Sequence, residues 1–226
     1  PQNSHNMFRL PFIEYITLSV DIRRIEYLHG LIFLPKIVLS LPIRKLGAIM
    51  LKIGLLSDTH GWVHPSLFEF FKDVEEVWHA GDIGGIETAD KLALFKPLKA
   101  VYGNIDGGMV RRTFPEVLFF EAEKVKVLMT HIGGAPGRYD FKAKELIGKE
   151  RPDLFICGHS HIAKVMRDSK NGLLYVNPGA AGFQGFHKYM TAIRFIIDVA
   201  EIKDMELFEL GERGRTNIEK DKTKSL

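Results

Sequence analysis

The sequence predicts an α/β fold in which two packed sheets carry helices on their outer faces. In the first half, short apolar segments alternate with helix-like segments, a pattern typical of βαβ units with parallel strands. In the second half, pairs of apolar segments flank polar turns, which predicts antiparallel hairpins. The chain has 226 residues, 46% of them hydrophobic and 26% charged, so it is long enough for one domain with a sizeable core.

Five short apolar runs predict strands, and two helix-like segments separate the first three of them. The predicted strands are 53–56, 77–80, 98–102, 125–130 and 154–157, and the helices are 65–73 and 87–95. Turn signals then predict three hairpins. Their arms are 114–120 with 125–130, 163–167 with 173–176, and 190–197 with 202–210, and one more helix is predicted over 139–149.

Three regions are expected along the chain. Residues 1–49 differ in character from the rest of the chain, and Met50 stands where the regular pattern begins. We therefore interpret 1–49 as a poorly ordered or non-native leader, with a functional extension as the alternative. Residues 50–210 hold every predicted strand and are expected to form the domain. The charged tail, 211–226, lacks apolar periodicity and is expected to fray.

The net charge of +3 belongs to the leader. Residues 1–49 hold six Lys/Arg and three Asp/Glu, and subtracting these from totals of 31 and 28 leaves 25 of each in the remainder. A neutral body lacks the basic surface that binds nucleic acid, so no stable nucleic-acid complex is expected. The uncharged runs are too short to span a bilayer, so no membrane association is expected. The single cysteine, Cys157, is compatible with a soluble cytoplasmic protein, and homo-oligomerisation stays open.

Each of the five predicted strands ends at a potential metal ligand. In chain order these residues are Asp58 and His60, Asp82, Asn104, His131, and His159 with His161. Because the carboxyl ends of parallel strands share one edge of a sheet, those of the first three strands should meet. Two carboxylates, one amide and four imidazoles are about what two adjacent divalent cations need, with Asp82 as the bridge that binds one cation with each oxygen. Nitrogen and oxygen ligands without thiolate suit Mn, Fe, Zn, Ni or Co.

These motifs resemble the calcineurin-like metallophosphoesterase superfamily, whose signature runs D-x-H, G-D, G-N-x-[DE], H and G-H-x-H. More narrowly, they resemble its compact bacterial and archaeal phosphodiesterase branch, related to the retromer scaffold subunit. The resemblance covers about residues 50–210, with every block in order. It implies a four-layer α/β/β/α sandwich of two mixed sheets flanked by helices. It assigns one metal to Asp58, His60, Asp82 and His161, and the other to Asp82, Asn104, His131 and His159.

The resemblance implies a dinuclear-metal phosphodiesterase that hydrolyses a small phosphodiester substrate with a hydroxide bridging two divalent ions. Mn is the first expectation for the metal, with Ni, Zn, Fe or Co as alternatives. Asn104 and Asp106 are the expected catalytic residues, and Asp106 is expected to accept a hydrogen bond that orients a metal-ligating imidazole. Ile105 departs from the larger members of the family, which carry a histidine there as general acid. A non-catalytic metal-binding scaffold for protein contacts is therefore the alternative function.

Other histidines and aromatic residues receive less specialised interpretations. His79 is expected to pack beneath the site or to support a ligand rather than to bind metal. His64 and His187 are expected to face solvent or to lie in loops. Phe183 and Phe186 are interpreted as core residues, with walls of a substrate pocket as the alternative.

Overall fold

A computed structural model of the protein describes residues 50–213. The predicted leader and the tail beyond residue 213 lie outside the described residues. The described strands are β1 (Met50–Leu56), β2 (Glu76–His79), β3 (Leu98–Ala100), β4 (Val117–Ala122), β5 (Val125–Thr130), β6 (Gly134–Ala135), β7 (Arg138–Tyr139), β8 (Leu154–Ile156), β9 (Ala163–Asp168), β10 (Leu173–Pro178), β11 (Tyr189–Asp198) and β12 (Glu201–Glu212). The helices are α1 (Ser66–Phe70), α2 (Ile86–Phe95), α3 (Gly108–Thr113) and α4 (Phe141–Glu150).

Ten of these strands form two five-stranded mixed sheets, and β6 and β7 form a small hairpin. The first sheet has the order β12-β11-β1-β2-β3, with β1, β2 and β3 parallel and the other pairs antiparallel. The second has the order β4-β5-β8-β10-β9, with β5, β8 and β10 parallel and the outer pairs antiparallel. The predicted ligands lie in the loops after five of these parallel strands, namely β1, β2, β3, β5 and β8.

The main hydrophobic core lies between the two sheets. Alternate residues of facing strands meet there, including Ile53 and Leu55 of β1 with Val127 and Met129 of β5, and all four side chains are fully buried. Leu128 of β5 points to the opposite face of its sheet, since successive strand residues alternate. Both faces of each sheet are thus covered by apolar side chains.

Helices cover the outer faces and complete the four predicted layers. Leu67 and Phe71 pack α1 and its last turn against the first sheet, and Ala143 and Ile147 pack α4 against the second. Asp140 caps α4, because its carboxylate accepts the backbone N–H of Lys142. Within the part of the chain described, none of the helices combines the length and apolar content needed to cross a membrane.

The predicted elements are confirmed with differences at their ends. Helix α1 is shorter than the predicted 65–73, and β12 continues to Glu212, beyond the expected domain end at 210. The sequence prediction missed α3, since Gly108–Thr113 has two adjacent arginines and no apolar periodicity. It also missed β6 and β7, whose two-residue arms are too short to show alternation.

Candidate metal centre

Two groups of potential metal ligands lie side by side where the strands end. The first consists of Asp58, His60 and His161, and the second of Asp82, His131 and His159, with the ligand atoms of each group within 4.8 Å of one another. These six residues belong to the seven predicted from the sequence. They come from the loops after β1, β2, β5 and β8. The fold therefore gathers side chains from both sheets into one cluster.

Asp82 joins the two groups. Its Oδ2 atom lies 3.3 Å from His131 Nε2 in its own group and 4.0 Å from His60 Nε2 in the other. Asp58 Oδ1 lies 3.1 Å from His161 Nε2 and 4.0 Å from His131 Nε2. The two carboxylates thus occupy the centre of the cluster, with the imidazoles around them.

Each carboxylate uses one oxygen for the backbone and presents the other to the cluster. Asp58 Oδ2 accepts the backbone N–H of His159 at 3.1 Å, and Asp82 Oδ1 accepts that of Ile105 at 3.0 Å. The predicted bridge uses both oxygens of Asp82, of which Oδ1 also accepts the N–H of Ile105 and Oδ2 faces the imidazoles.

The ligand loops have an unusual backbone. Five of the predicted ligands are left-handed, with φ of 55° at Asp58, 49° at His60, 54° at Asp82, 67° at His159 and 58° at His161. Such conformations cost non-glycine residues of order 1–3 kcal/mol and concentrate at functional sites. Backbone hydrogen bonds hold two of these residues in place, since His60 N–H donates to Asp82 O at 3.0 Å and Asp58 N–H donates to Gly81 O at 2.9 Å.

Glycines in the motifs allow the loops to approach this closely. A Cβ atom at Gly103 would collide with the carboxylate of Asp82, and one at Gly158 would collide with the side chains of Ser57 and Asp58. The glycines of G-N-x-[DE] and G-H-x-H therefore make room for the carboxylates of other loops.

The tautomer of His131 is determined by the backbone. Its Nδ1 atom lies 2.8 Å from the carbonyl oxygen of Ala80, which can only accept, so Nδ1 carries the hydrogen. Nε2 then offers a lone pair toward Asp82. Burial opposes charge on His131, but Asp82 and Asp58 outweigh burial and raise its pKa. Burial also opposes ionisation of Asp82, yet His131 holds the pKa of that carboxyl below its usual value.

The donor set fits divalent cations. Asp58 Oδ1 and His131 Nε2 are buried, and neither has a hydrogen-bond partner among the described residues. Buried polar atoms are normally paired, so two such atoms in one cluster indicate a missing partner. Carboxylate oxygens and imidazole nitrogens without thiolate are the ligands that Mn, Fe, Co, Ni and Zn accept. The two groups would each hold one of two adjacent cations.

The seventh predicted ligand, Asn104, lies at the edge of the cluster. Asn104 is exposed and, together with His131, lines a cavity of about 390 Å³. Tyr102, Arg111 and Ile132 contribute other parts of the wall. Asn104 is therefore on the side of the second group, to which the motif assigns it.

Asp106 has partners different from those predicted. Its buried carboxylate accepts three backbone N–H groups, from Ile83 at 3.0 Å, Gly84 at 2.7 Å and Gly103 at 2.8 Å. The expected hydrogen bond to a metal-ligating imidazole is absent among the described residues, because both oxygens face the backbone. Asp106 thus ties the loop after β2 to the loop after β3, and so holds Asp82 and Asn104 in register.

His79 lies beneath the cluster and supports the loop after β1. Its Nδ1 atom accepts the N–H of Gly81 at 3.1 Å, so the neutral ring has its hydrogen on Nε2, which lies 2.9 Å from Thr59 Oγ1. The Thr59 hydroxyl in turn donates to Ile83 O at 2.9 Å. Burial lowers the pKa of His79 to about 4. These contacts agree with the expectation that His79 packs beneath the site or supports a ligand.

The neutral state of His79 predicts an acid-sensitive fold. Because its folded pKa of about 4 lies below the ordinary 6.5, its contribution is complete above pH 6.5 and is lost as pH falls toward 4. Between pH 7 and 5, the unfolding free energy should fall by about 2 kcal/mol more in the parent than in His79→Gln. Denaturant unfolding with a metal chelator present measures this difference. Parallel pH profiles for the two proteins would contradict the assignment.

Two histidines expected in solvent or loops are partly enclosed. His64 is buried, and its Nδ1 accepts the N–H of Ser66 at 3.1 Å. His187 contacts the ligand His161, with 3.3 Å between their Nδ1 atoms. No motif marks His187, which lies 26 residues from His161 in sequence. Conversely, Phe183 and Phe186 are exposed rather than core residues, so that interpretation is wrong.

Comparison with known proteins agrees with this site. The family model described as the calcineurin-like phosphoesterase superfamily domain matches residues 51–199. A protein of Methanothermobacter thermautotrophicus named "Probable metallophosphoesterase" is 32% identical over 134 residues, which cover 57% of this chain and 76% of that protein. The chain belongs to the calcineurin-like phosphoesterase superfamily, and the predicted membership is confirmed. The family is a class of metal-dependent phosphoester hydrolases.

Solved structures share the fold. Vacuolar Protein Sorting 29 from Cryptosporidium parvum gives a TM-score of 0.55 at 18% identity and covers 71% of this chain and 98% of its own. A novel archaeal phosphodiesterase gives a TM-score of 0.50 at 23% identity and covers 70% of this chain and 100% of its own. The predicted four-layer sandwich is thereby confirmed.

Proposed function

We propose that this protein is a cytoplasmic phosphodiesterase that hydrolyses small phosphodiester substrates with two divalent metal ions, Mn²⁺ first among them. The observation that carries the proposal is the shared position of Asp82 Oδ2, within 4.0 Å of an imidazole nitrogen from each group. When bound, two adjacent cations would supply Lewis-acid activation of a water and of the phosphoryl oxygens.

The residues of the chain give the site its charge and its shape. Two divalent cations would carry four positive charges, and Asp58 and Asp82 provide two negative ones. The loaded site would therefore be positive and would attract a phosphate anion. His131 presents a lone pair because its other nitrogen donates to the backbone. Ordered loops hold these groups before substrate arrives, which avoids reorganisation during the reaction.

The cavity beside His131 supports a diester substrate, because it offers a place for one of the two alcohol groups. Its volume of about 390 Å³ lies within the range of small-molecule sites, and its wall combines the ring of Tyr102 with polar groups such as Thr130. One alcohol group of a diester would lie there while the phosphoryl group lies at the ligands. Ile105, half exposed beside Asn104, offers no proton to the leaving oxygen. This favours substrates whose alcohol leaves readily.

Turnover of paired aryl esters tests the proposal. The full chain, stripped with chelator and reloaded with Mn²⁺, should hydrolyse bis(4-nitrophenyl) phosphate with a higher kcat/KM than 4-nitrophenyl phosphate. The stripped protein should be inactive and should regain activity when Mn²⁺ is returned. A preference for the monoester would overturn the diester assignment.

A protein-interaction scaffold of the same fold is the second candidate. Exposed apolar side chains come directly after the ligand positions, at Ile105, Ile132 and Ile162, and Phe186 is fully exposed. Exposed apolar side chains beside a site offer contacts to a partner protein. Two bound ions without turnover of either aryl ester would favour the scaffold over the enzyme.

A further inference from the structure

His187 is placed against a ligand of the first group without belonging to that group. It lies between β10 and β11 and is partly buried. Its ring packs edge-on against that of His161, with 5.2 Å between the centroids and 71° between the planes. The two Nδ1 atoms are 3.3 Å apart, and His161 Nε2 faces Asp58 Oδ1 at 3.1 Å.

The hydrogen bonds determine which ring nitrogen carries the hydrogen in each of the two histidines. His187 Nε2 lies 2.9 Å from the carbonyl oxygen of Gly182, so Nε2 carries the hydrogen. In the neutral ring, Nδ1 of His187 then accepts, and the partner that donates to it is Nδ1–H of His161. This leaves the lone pair of His161 on Nε2, the atom that faces Asp58.

We propose that His187 is a positioning residue for His161, an inference that rests on the proposed metal site. His187 accepts the Nδ1–H of His161, so that Nε2 of His161 presents its lone pair to the cation. His131 receives the same support from the carbonyl of Ala80. Gly185 contributes to the arrangement, since a Cβ atom there would collide with the ring of His161. A metal-ligating imidazole whose outer nitrogen is held in this way binds metal about 10–100-fold more tightly than one without the partner.

Two substitutions at His187 separate positioning from packing. In His187→Asn, Oδ1 takes the place of Nδ1 as an acceptor, whereas His187→Leu fills space and accepts nothing. Mn²⁺ binding to the full chain is measured by calorimetry with a competing chelator. The Leu variant should bind one of two ions about 10–100-fold more weakly, and the Asn variant should stay near the parent. His64→Asn, the same change at a buried histidine outside the cluster, is the matched control.

A second measurement does not depend on metal or turnover. In the metal-free full chain, ¹⁵N spectra of the imidazoles should show His161 with its hydrogen on Nδ1, and the Leu variant should shift toward the Nε2–H form. Unchanged spectra and unchanged affinity in His187→Leu would overturn the proposal, as would equal losses in the Asn and Leu variants. If the parent itself bound no ion, the proposed function would fail while the spectra still decided the role of His187.

Discussion

Replacing Asp82 with asparagine should abolish phosphodiester hydrolysis and remove at least one of two bound divalent ions. The asparagine oxygen can still accept the N–H of Ile105, so the loop after β3 keeps its anchor. The other atom becomes an NH₂ group, which cannot ligate a cation, at the position shared by both groups. Loss of several kcal/mol of transition-state stabilisation corresponds to at least about a thousandfold in kcat. Elemental analysis and aryl-diester turnover measure the two effects.

Asp168→Asn is the matched control for that substitution. Asp168 is a buried aspartate outside the cluster, and it accepts hydrogen bonds from Tyr139, Lys170 and Asn171. Its variant should lose some stability and keep both ions and full turnover. Retention of two ions in Asp82→Asn would contradict the two-metal assignment, because the shared position would then be unnecessary for binding.

The positions of the ligands were predictable because they depend on topology. An apolar run ending at Asp58, and others ending at Asp82 and His131, place these side chains at strand ends. Parallel strands of one sheet bring their ends to one edge, so the meeting of Asp58 and Asp82 could be inferred without coordinates. His131 joins them from the second sheet, and the order of the family motifs indicated that it belongs to the same site. The glycine before Asp82 and the glycine before Asn104 are part of the same motifs, and the missing Cβ explains their role in close packing.

The support around those ligands could not be predicted from the sequence. His187 lies in a loop without hydrophobic periodicity and contacts His161. Asp106 accepts backbone N–H groups rather than a hydrogen bond from an imidazole. Both contacts depend on side-chain directions set by tertiary packing. The left-handed backbone at residues such as His60 could not be predicted either, because a non-glycine residue does not indicate a positive φ. The conformation of His60 depends on a hydrogen bond to the neighbouring loop.

Placing a histidine at residue 105 should accelerate hydrolysis of diesters with poor leaving groups. The backbone of Ile105 is anchored by its N–H to Asp82 Oδ1 at 3.0 Å, and its side chain is 49% exposed, so the substitution leaves the loop intact. An alkoxide needs a proton in the transition state, and a positioned acid supplies about 10²–10⁴-fold. An activated aryl oxide leaves as an anion, so it should gain little. Turnover ratios of Ile105→His to parent across leaving groups of rising pKa measure the effect.

The same change at a neighbouring exposed isoleucine tests whether position matters. Ile132 comes after His131, lines the same cavity as Asn104 and is 42% exposed, so Ile132→His adds an imidazole near the site but on another loop. Its turnover ratio should stay flat across leaving groups, whereas that of Ile105→His should rise with leaving-group pKa. An added histidine has an ordinary pKa of about 6.5, so the gain should shrink above neutral pH as the acid form is depleted. A flat ratio for Ile105→His would show that residue 105 does not face the leaving oxygen.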